Sequence, residues 1–414
     1  YCLAKRRFND WRIGLLAVCF FLLSPRMFAE SFYNDKDLVF LASFTIGLNA
    51  AIAFILAPSW RLALGSALAC AVAINVRLIG VLLPLIVIGS FLVQIGLRRN
   101  KVQTILGVVI GFGVSTLGLT ILLWPWLWSA PFEHLAIAFA NMSQFRWFGF
   151  PFYMGQYYPV KELPWHYLIV SIAITTPLWI LTLFIVGAGQ TLWQWIGRHG
   201  RLWDNDDQMQ DLIFLAIVFG PIAAIILMHS VVYNGWRHVY FIYPAIILIA
   251  IKAWHEIWRW CADIKKSQFV SILKRGALLI LISSMSMTMH WMVTAHPMQN
   301  IYFNWLAGKN WKDRWEVDYW GLANRQALQE IANMDSRSQI LVWSGSNTPL
   351  YYALKILPEN ERNRIAVISD EGRADYIVTN YHGNSIDYHY QSKYKLLSQK
   401  LVNEELIYSI FRSR

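Results

Sequence analysis

Long apolar runs separated by short polar breaks fill the first three quarters of the chain. They fall at about 11–24, 38–57, 62–75, 78–96, 103–123, 165–187, 212–228, 239–253 and 277–294. A helix crossing a bilayer at right angles needs about 20 apolar residues. The runs are therefore read as nine membrane helices, the shorter ones tilted or extended into their flanks. The runs 62–75 and 78–96 are broken only by Asn75-Val76-Arg77, which is read as a tight hairpin.

From about residue 298 the pattern becomes that of a soluble domain. The stretch 320–334 reads as a helix and 339–343 as a strand, followed by a Gly/Ser/Asn turn and a helix over 348–357. Short strands are expected at 364–369 and 374–379, and a closing hairpin at 395–402 and 406–411. The fold class expected is mainly α: a polytopic transmembrane bundle over 1–297, with a small α/β extracytoplasmic domain over 298–414.

Composition agrees with a membrane protein. The 414 residues are 56% hydrophobic and 15% charged, with mean hydropathy +0.38, whereas soluble domains carry about 25% charged residues. The net charge of +11 would suggest nucleic acid on a soluble protein. Here it is read as Lys and Arg collecting in cytoplasmic loops, with no nucleic-acid partner. Cys2, Cys19, Cys70 and Cys261 are scattered and match no disulfide or zinc spacing. Residue 1 is Tyr, so the chain is expected to lack its true N-terminus.

Charge asymmetry orients the runs. With the N-terminal Lys5, Arg6 and Arg7 in the cytoplasm, alternation places several basic clusters there as well. They are Arg61; Arg98, Arg99 and Lys101; Arg198 and Arg201; and Arg259, Lys265, Lys266, Lys274 and Arg275. The outer loops hold only scattered basic residues: Arg26, Lys36, Arg77, Arg146, Lys161 and Arg237. The expected location is a multi-pass protein of a bacterial inner membrane. Its outer face then gathers 25–37, 75–77, the aromatic-rich stretch 124–164, 229–238 and everything after about 295. The aromatics of 124–164 suit either an interfacial belt or a cleft that binds a lipid or sugar.

Four polar groups fall on that face. Asp35 and Asp37 form a D-x-D pair, the pattern of a divalent-cation site (Mg or Mn) or of a base with an orienting acid. The plain alternative is helix capping. Arg77 lies between two apolar runs, where it either snorkels to headgroups or grips an anionic headgroup with its forked guanidinium. Arg237 and His238 open a helix that also carries Tyr240 and Tyr243, a candidate seat for a phosphate or diphosphate. His166 heads another helix in Pro164-Trp165-His166-Tyr167, where interfacial anchoring explains it almost as well. No histidine pair has zinc-ligand spacing.

In the order and spacing of these motifs the chain resembles the GT-C superfamily of polytopic membrane glycosyltransferases. That group includes protein O-mannosyltransferases, the lipid A aminoarabinose transferase and Rgt-type lipopolysaccharide-core transferases. The resemblance rests on Ser24-Pro25-Arg26 through Asp37 and on Asn75-Val76-Arg77 with Pro84. It also rests on Pro164-Trp165-His166-Tyr167 with Thr175-Thr176-Pro177, and on Trp236-Arg237-His238 with Tyr243-Pro244. It implies a sugar on a polyprenyl phosphate as donor, a lipid, glycan or protein acceptor, and transfer at the outer face of the bilayer. It assigns Asp37 and Asp35 as catalytic candidates, and Arg77, Arg237, His238, Tyr243 and His166 as substrate-binding ones. The resembled pattern has Pro where this chain has Asp35. It also places its principal acid in an outer loop after one earlier helix, expected upstream of residue 1. The alternative class is a transporter or flippase of lipid-linked sugars. Internal repeats and mid-membrane polar residues would mark that class, and the sequence shows no convincing repeat.

Overall fold

The computed structural model describes residues 1–96, 102–143, 145–198, 201–263, 268–383 and 393–413. The basic residues Arg98, Arg99, Lys101, Lys265 and Lys266 lie outside the described residues. The chain is mostly helical and divides into two compact units. The first comprises Tyr1–Trp147, Pro177–Val232 and Trp236–Met287; the second comprises Phe148–Thr176, Tyr233–Gly235 and Thr288–Arg414. The second unit thus draws on two segments upstream of residue 298, and its third begins at Thr288.

Among the described residues, seven helices are long and apolar enough to cross a membrane: Asp37–Leu56, Leu78–Gly96, Ile105–Leu123, Leu178–Ile196, Asp206–Leu227, Arg237–Trp260 and Ile272–Thr294. Trp11–Leu22 and Trp60–Val76 are apolar but shorter. These helices are compatible with a multi-pass integral membrane protein. Many of their large apolar side chains are solvent-exposed, among them Ile46, Leu92, Val114, Ile185 and Ile280. In water such surfaces would be unfavourable; against lipid they cost nothing.

One expected helix requires correction. The run 165–187 is not a single helix but two, Tyr167–Thr175 and Leu178–Ile196. Pro177 offers no N–H and biases the residue before it toward extended backbone. Thr176 is extended accordingly, with φ −96 and ψ 135. The membrane-length helix begins after this break, 13 residues later than the run began (178 against 165).

Within the first unit, helix Leu178–Ile196 lies so close to helix Arg237–Trp260 that a Cβ on Gly187 would sit 2.2 Å from the Ile249 carbonyl oxygen. No residue but glycine fits that contact. A buried charge cluster ties the N-terminal helix Cys2–Phe8 to the bundle. Arg7 donates to both carboxylate oxygens of Asp211, at 2.7 and 2.8 Å. Lys252 Nζ is 3.1 Å from Asp211 and donates to Thr191 Oγ1 at 2.7 Å. Arg6 donates to the Asn49 side chain at 2.9 Å.

In the second unit, strands β1 (Phe152–Tyr153) and β2 (Gln156–Tyr157) form a small hairpin. Strands β3 (Ile340–Ser344), β4 (Ile365–Val367), β5 (Tyr376–Thr379), β6 (Tyr394–Val402) and β7 (Glu405–Ser413) form one sheet in the order β4-β3-β5-β7-β6. The first three are parallel to one another and the hairpin β6–β7 is antiparallel to them. These strands and the helices Ala323–Met334 and Leu350–Lys355 fall where the sequence pattern places them. Asp318, fully buried, holds the start of helix Ala323–Met334 by accepting from Leu322 N and Ala323 N.

Candidate functional site

Most of the expected site residues fall in the first unit, where Ser24 begins the short helix Pro25–Glu30. The Ser24 hydroxyl lies 2.5 Å from the Tyr243 hydroxyl, joining that helix to the one that follows Arg237. Four residues after that helix ends, the turn before helix Asp37–Leu56 is organised by Asn34. Its Oδ1 accepts from Asp37 N at 2.8 Å, so Asn34, not Asp37, supplies the cap. Its Nδ2 donates to Glu30 Oε2 at 2.8 Å and to Asp37 Oδ2 at 3.1 Å. One amide thus holds two carboxylates. Arg26, Glu30, Asn34 and Asp37 are all buried, none more than 4% exposed.

Arg77 enters from the next helical hairpin. Helix Trp60–Val76 ends there, and Arg77 adopts an extended conformation with φ −151 and ψ 132. The following turn doubles back so closely that a Cβ on Gly80 would meet Ala73 backbone atoms at 2.7 Å. Asn75 fixes the same corner by donating to Ala71 O at 2.8 Å. The Arg77 guanidinium reaches Asp37, with Nη1 2.7 Å from Oδ1. The Asp37 side chain is 4% exposed and that of Arg77 19%. The pair is therefore largely desolvated, with the guanidinium still touching solvent.

The third contributor is Arg237–Ile242, a 3₁₀ turn kinked at Val239. Asn234 and Gly235 precede it in left-handed conformations, φ 55 and 68. The turn packs on helix Asp37–Leu56 through Phe241, whose ring lies 5.2 Å from Phe40 and 4.8 Å from Phe44. Tyr240 donates to Glu30 Oε1 at 3.3 Å. Arg237 and His238, at the start of this turn, are half-buried. Three elements distant in sequence thereby place two carboxylates, two guanidiniums, an imidazole and several hydroxyls at one end of the bundle.

Of the expected residues, Asp37 and Arg77 are in contact. Arg237, His238 and Tyr243 lie on the segment packed against them. Asp35 is exposed and stands outside the cluster. His166 belongs to the second unit, where its Nδ1 is 2.6 Å from the Tyr153 hydroxyl. Burial pushes that Tyr153 hydroxyl up to about 12. Many aromatics of 124–164 are exposed, including Trp128, Phe132, Phe148 and Phe150.

Glu30 and the bridging role of Asn34 escape sequence reading. The available signal is the i, i+4 spacing of Glu30 and Asn34 just before the apolar run. The Arg7–Asp211–Lys252 cluster has no local signal at all.

Asp35 and Asp37 diverge in the structure, one exposed and one buried. Asp37 has Oδ1 on Arg77 and Oδ2 on Asn34, and Asp35 is exposed. Among the described residues no group of three or more His, Cys, Asp or Glu has the arrangement of a metal site. No protein-family model and no curated protein matches the chain.

Proposed function

We propose that the chain is a membrane glycosyltransferase that moves a sugar from a polyprenyl-phosphate donor to an acceptor hydroxyl at the outer face of a bacterial inner membrane. In this reading nine helices cross the bilayer and the segment after about residue 298 is extracytoplasmic. The observation that carries it is the buried Asp37–Arg77 pair, at the head of the helix on which the Arg237–Ile242 turn packs. Charged groups at the end of an apolar bundle are costly to retain unless they serve a function.

The chemistry is a displacement at the anomeric carbon. The acceptor hydroxyl attacks and gives its proton to the departing phosphate or to water, the glycosidic C–O bond breaks, and the lipid phosphate leaves with the bonding electrons. Arg77 and Arg237 stabilise the charge that grows on that phosphate. Asp37 acts through Arg77. Ion-paired to Arg77 and bonded by Asn34, it is read as a positioning residue that fixes the guanidinium. Asn34 holds Asp37 in turn, Glu30 accepts from Asn34, and Tyr240 donates to Glu30. No step is routed through a cation.

The transporter reading has one observation on its side, the buried Lys252–Asp211 pair in the helices. That pair is bound to Arg7 of the N-terminal helix and to the polar side chain of Thr191, which suits a structural clasp.

The test is turnover in proteoliposomes supplied with a radiolabelled polyprenyl-phosphate sugar. The expected result is release of polyprenyl phosphate, reduced by Arg77→Ala and by Arg237→Ala. Undiminished release in both variants, or sugar crossing the bilayer still attached to its lipid, would overturn the reading.

A further inference from the structure

Helix Pro131–Ser143, in the first unit, keeps its apolar stripe on the outside. Phe132, Ala136, Phe139 and Met142 recur along one helix face, and all four are exposed, Phe132 at 74%. Glu133, His134 and Asn141 lie on the other side, with Ile137 among them. A surface helix of a soluble domain turns such a stripe toward the core. Here the polar side makes the attachment instead. The His134 ring stacks on Trp126 with centroids 4.4 Å apart and planes at 5°, and its Nδ1 lies 2.5 Å from Trp126 O.

The turn that receives His134 is fixed to the end of a membrane-length helix. Only Trp124 separates helix Ile105–Leu123 from the 3₁₀ turn Pro125–Trp128. The Trp128 indole N–H donates to Ile121 O at 2.9 Å and to Leu122 O at 3.3 Å, closing carbonyls that the last helical turn leaves open. Helix Pro131–Ser143 also lies against the turn Leu78–Val81, which follows Arg77 at the start of helix Leu78–Gly96. Asn75 reaches Thr120 O at 3.4 Å, so the two turns stand at the same end of the bundle. A helix that meets the ends of two membrane helices stays at their level.

The free stripe continues a surface that faces lipid. Leu122 and Leu123 at the end of the membrane helix are exposed, Trp128 in the turn is 62% exposed, and Phe132 follows. Trp at the water boundary beside an apolar stripe with polar groups opposite is the make-up of a helix lying in a bilayer surface. The helix holds no Lys or Arg, so apolar burial and not headgroup charge drives the contact.

We propose that helix Pro131–Ser143 is embedded in the bilayer surface. Its stripe of Phe132, Phe139 and Met142 lies among acyl chains, and Glu133 and Asn141 lie among headgroups. It thereby forms a lipid-covered flank of the turn that follows Arg77. The proposal rests on Ile105–Leu123 crossing the membrane and is independent of the transfer chemistry.

The test is power-saturation EPR on single spin labels in the full chain, reconstituted in phosphatidylethanolamine–phosphatidylglycerol nanodiscs after the native cysteines are replaced by alanine. Labels at Phe132→Cys and Phe139→Cys should be reached by oxygen more than by a water-soluble nickel chelate, and should read shallower than Leu117→Cys in the membrane helix. Glu133→Cys and Asn141→Cys should show the reverse preference. Chelate access at Phe132 and Phe139 equal to that at Glu133, with Leu117 in lipid, would overturn the proposal and leave the membrane helix standing. Exclusion of both reagents from Phe132 and Phe139 would mean that protein covers the stripe, and would overturn it equally. Chelate access at Leu117 would overturn the membrane reading of its helix and this proposal with it.

Discussion

Arg77 Nη1 stands 2.7 Å from Asp37 Oδ1, and the carboxylate side of this pair is 4% exposed. The two residues come from different helices and are 40 positions apart (77 − 37). Removing one partner of a buried pair leaves the other charge uncompensated, at a cost of about 3–5 kcal/mol. Asp37→Ala should therefore lower the unfolding midpoint far more than Asp37→Asn, which keeps a polar partner. Equal midpoints for the two variants in thermal unfolding would show that the pair is not coupled in the folded protein.

The guanidinium shape matters at Arg237. Arg237→Ala should lower the rate constant for polyprenyl-phosphate release by roughly 10²–10³, the loss typical of a donor to a developing oxyanion. Arg237→Lys should recover part of it, because an ammonium offers charge without the planar fork. Steady-state turnover with saturating donor checks this. A loss confined to KM would mean that Arg237 grips the donor equally before and during the reaction.

The shared amide of Asn34 separates Glu30 from Asp37. Asn34→Leu removes both of its donated hydrogen bonds and leaves two carboxylates facing an apolar side chain. The expected cost is about 1–3 kcal/mol for an unsatisfied buried polar group. Glu30→Gln in the same chain should recover part of that loss, since one of the facing charges is gone. A double-mutant cycle on unfolding midpoints measures it, and strict additivity would rule out the shared network.

Asp211 accepts from Arg7 and pairs with Lys252 in the buried cluster. Asp211→Ala strands two cations and should destabilise the first unit by about 3–5 kcal/mol. It should also free the N-terminal helix, read as faster proteolysis near Phe8. Asp211→Asn should do both to a lesser degree.

The second unit should weaken in acid. Hydrogen bonds from Arg337 hold the Asp335 carboxyl well below the usual carboxylate range. The folded state then binds fewer protons than the unfolded state, so stability rises with pH. The contribution is complete above the unfolded value of about 3.9 and is lost as pH falls below it. Asp335→Asn should flatten the pH dependence of hydrogen exchange in β3 and β5 between about pH 4 and pH 2. An unchanged slope would show that another carboxylate is responsible.

The sequence alone determined the elements. Apolar runs of membrane length and the change of pattern near residue 298 are local properties, and period and composition report them directly. The runs 38–57, 78–96 and 103–123 reappear as Asp37–Leu56, Leu78–Gly96 and Ile105–Leu123. The parallel strands and closing hairpin follow the same logic. The break at Thr176-Pro177 was also written in the chain, but hydropathy does not register a proline that leaves the apolar character intact.

The tertiary structure decided the partners. The pairing of Asp37 with Arg77 depends on a hairpin turn that Gly80 permits. The pairing of Glu30 with Tyr240 depends on a helix 210 residues away. The burial of Lys252 depends on Asp211 and Thr191, which lie on two other helices. Desolvation and charge compensation are set by what surrounds a group in space, and no window along the chain contains that information. For the same reason the D-x-D pattern could not tell its two carboxylates apart, since one is buried and paired and the other exposed.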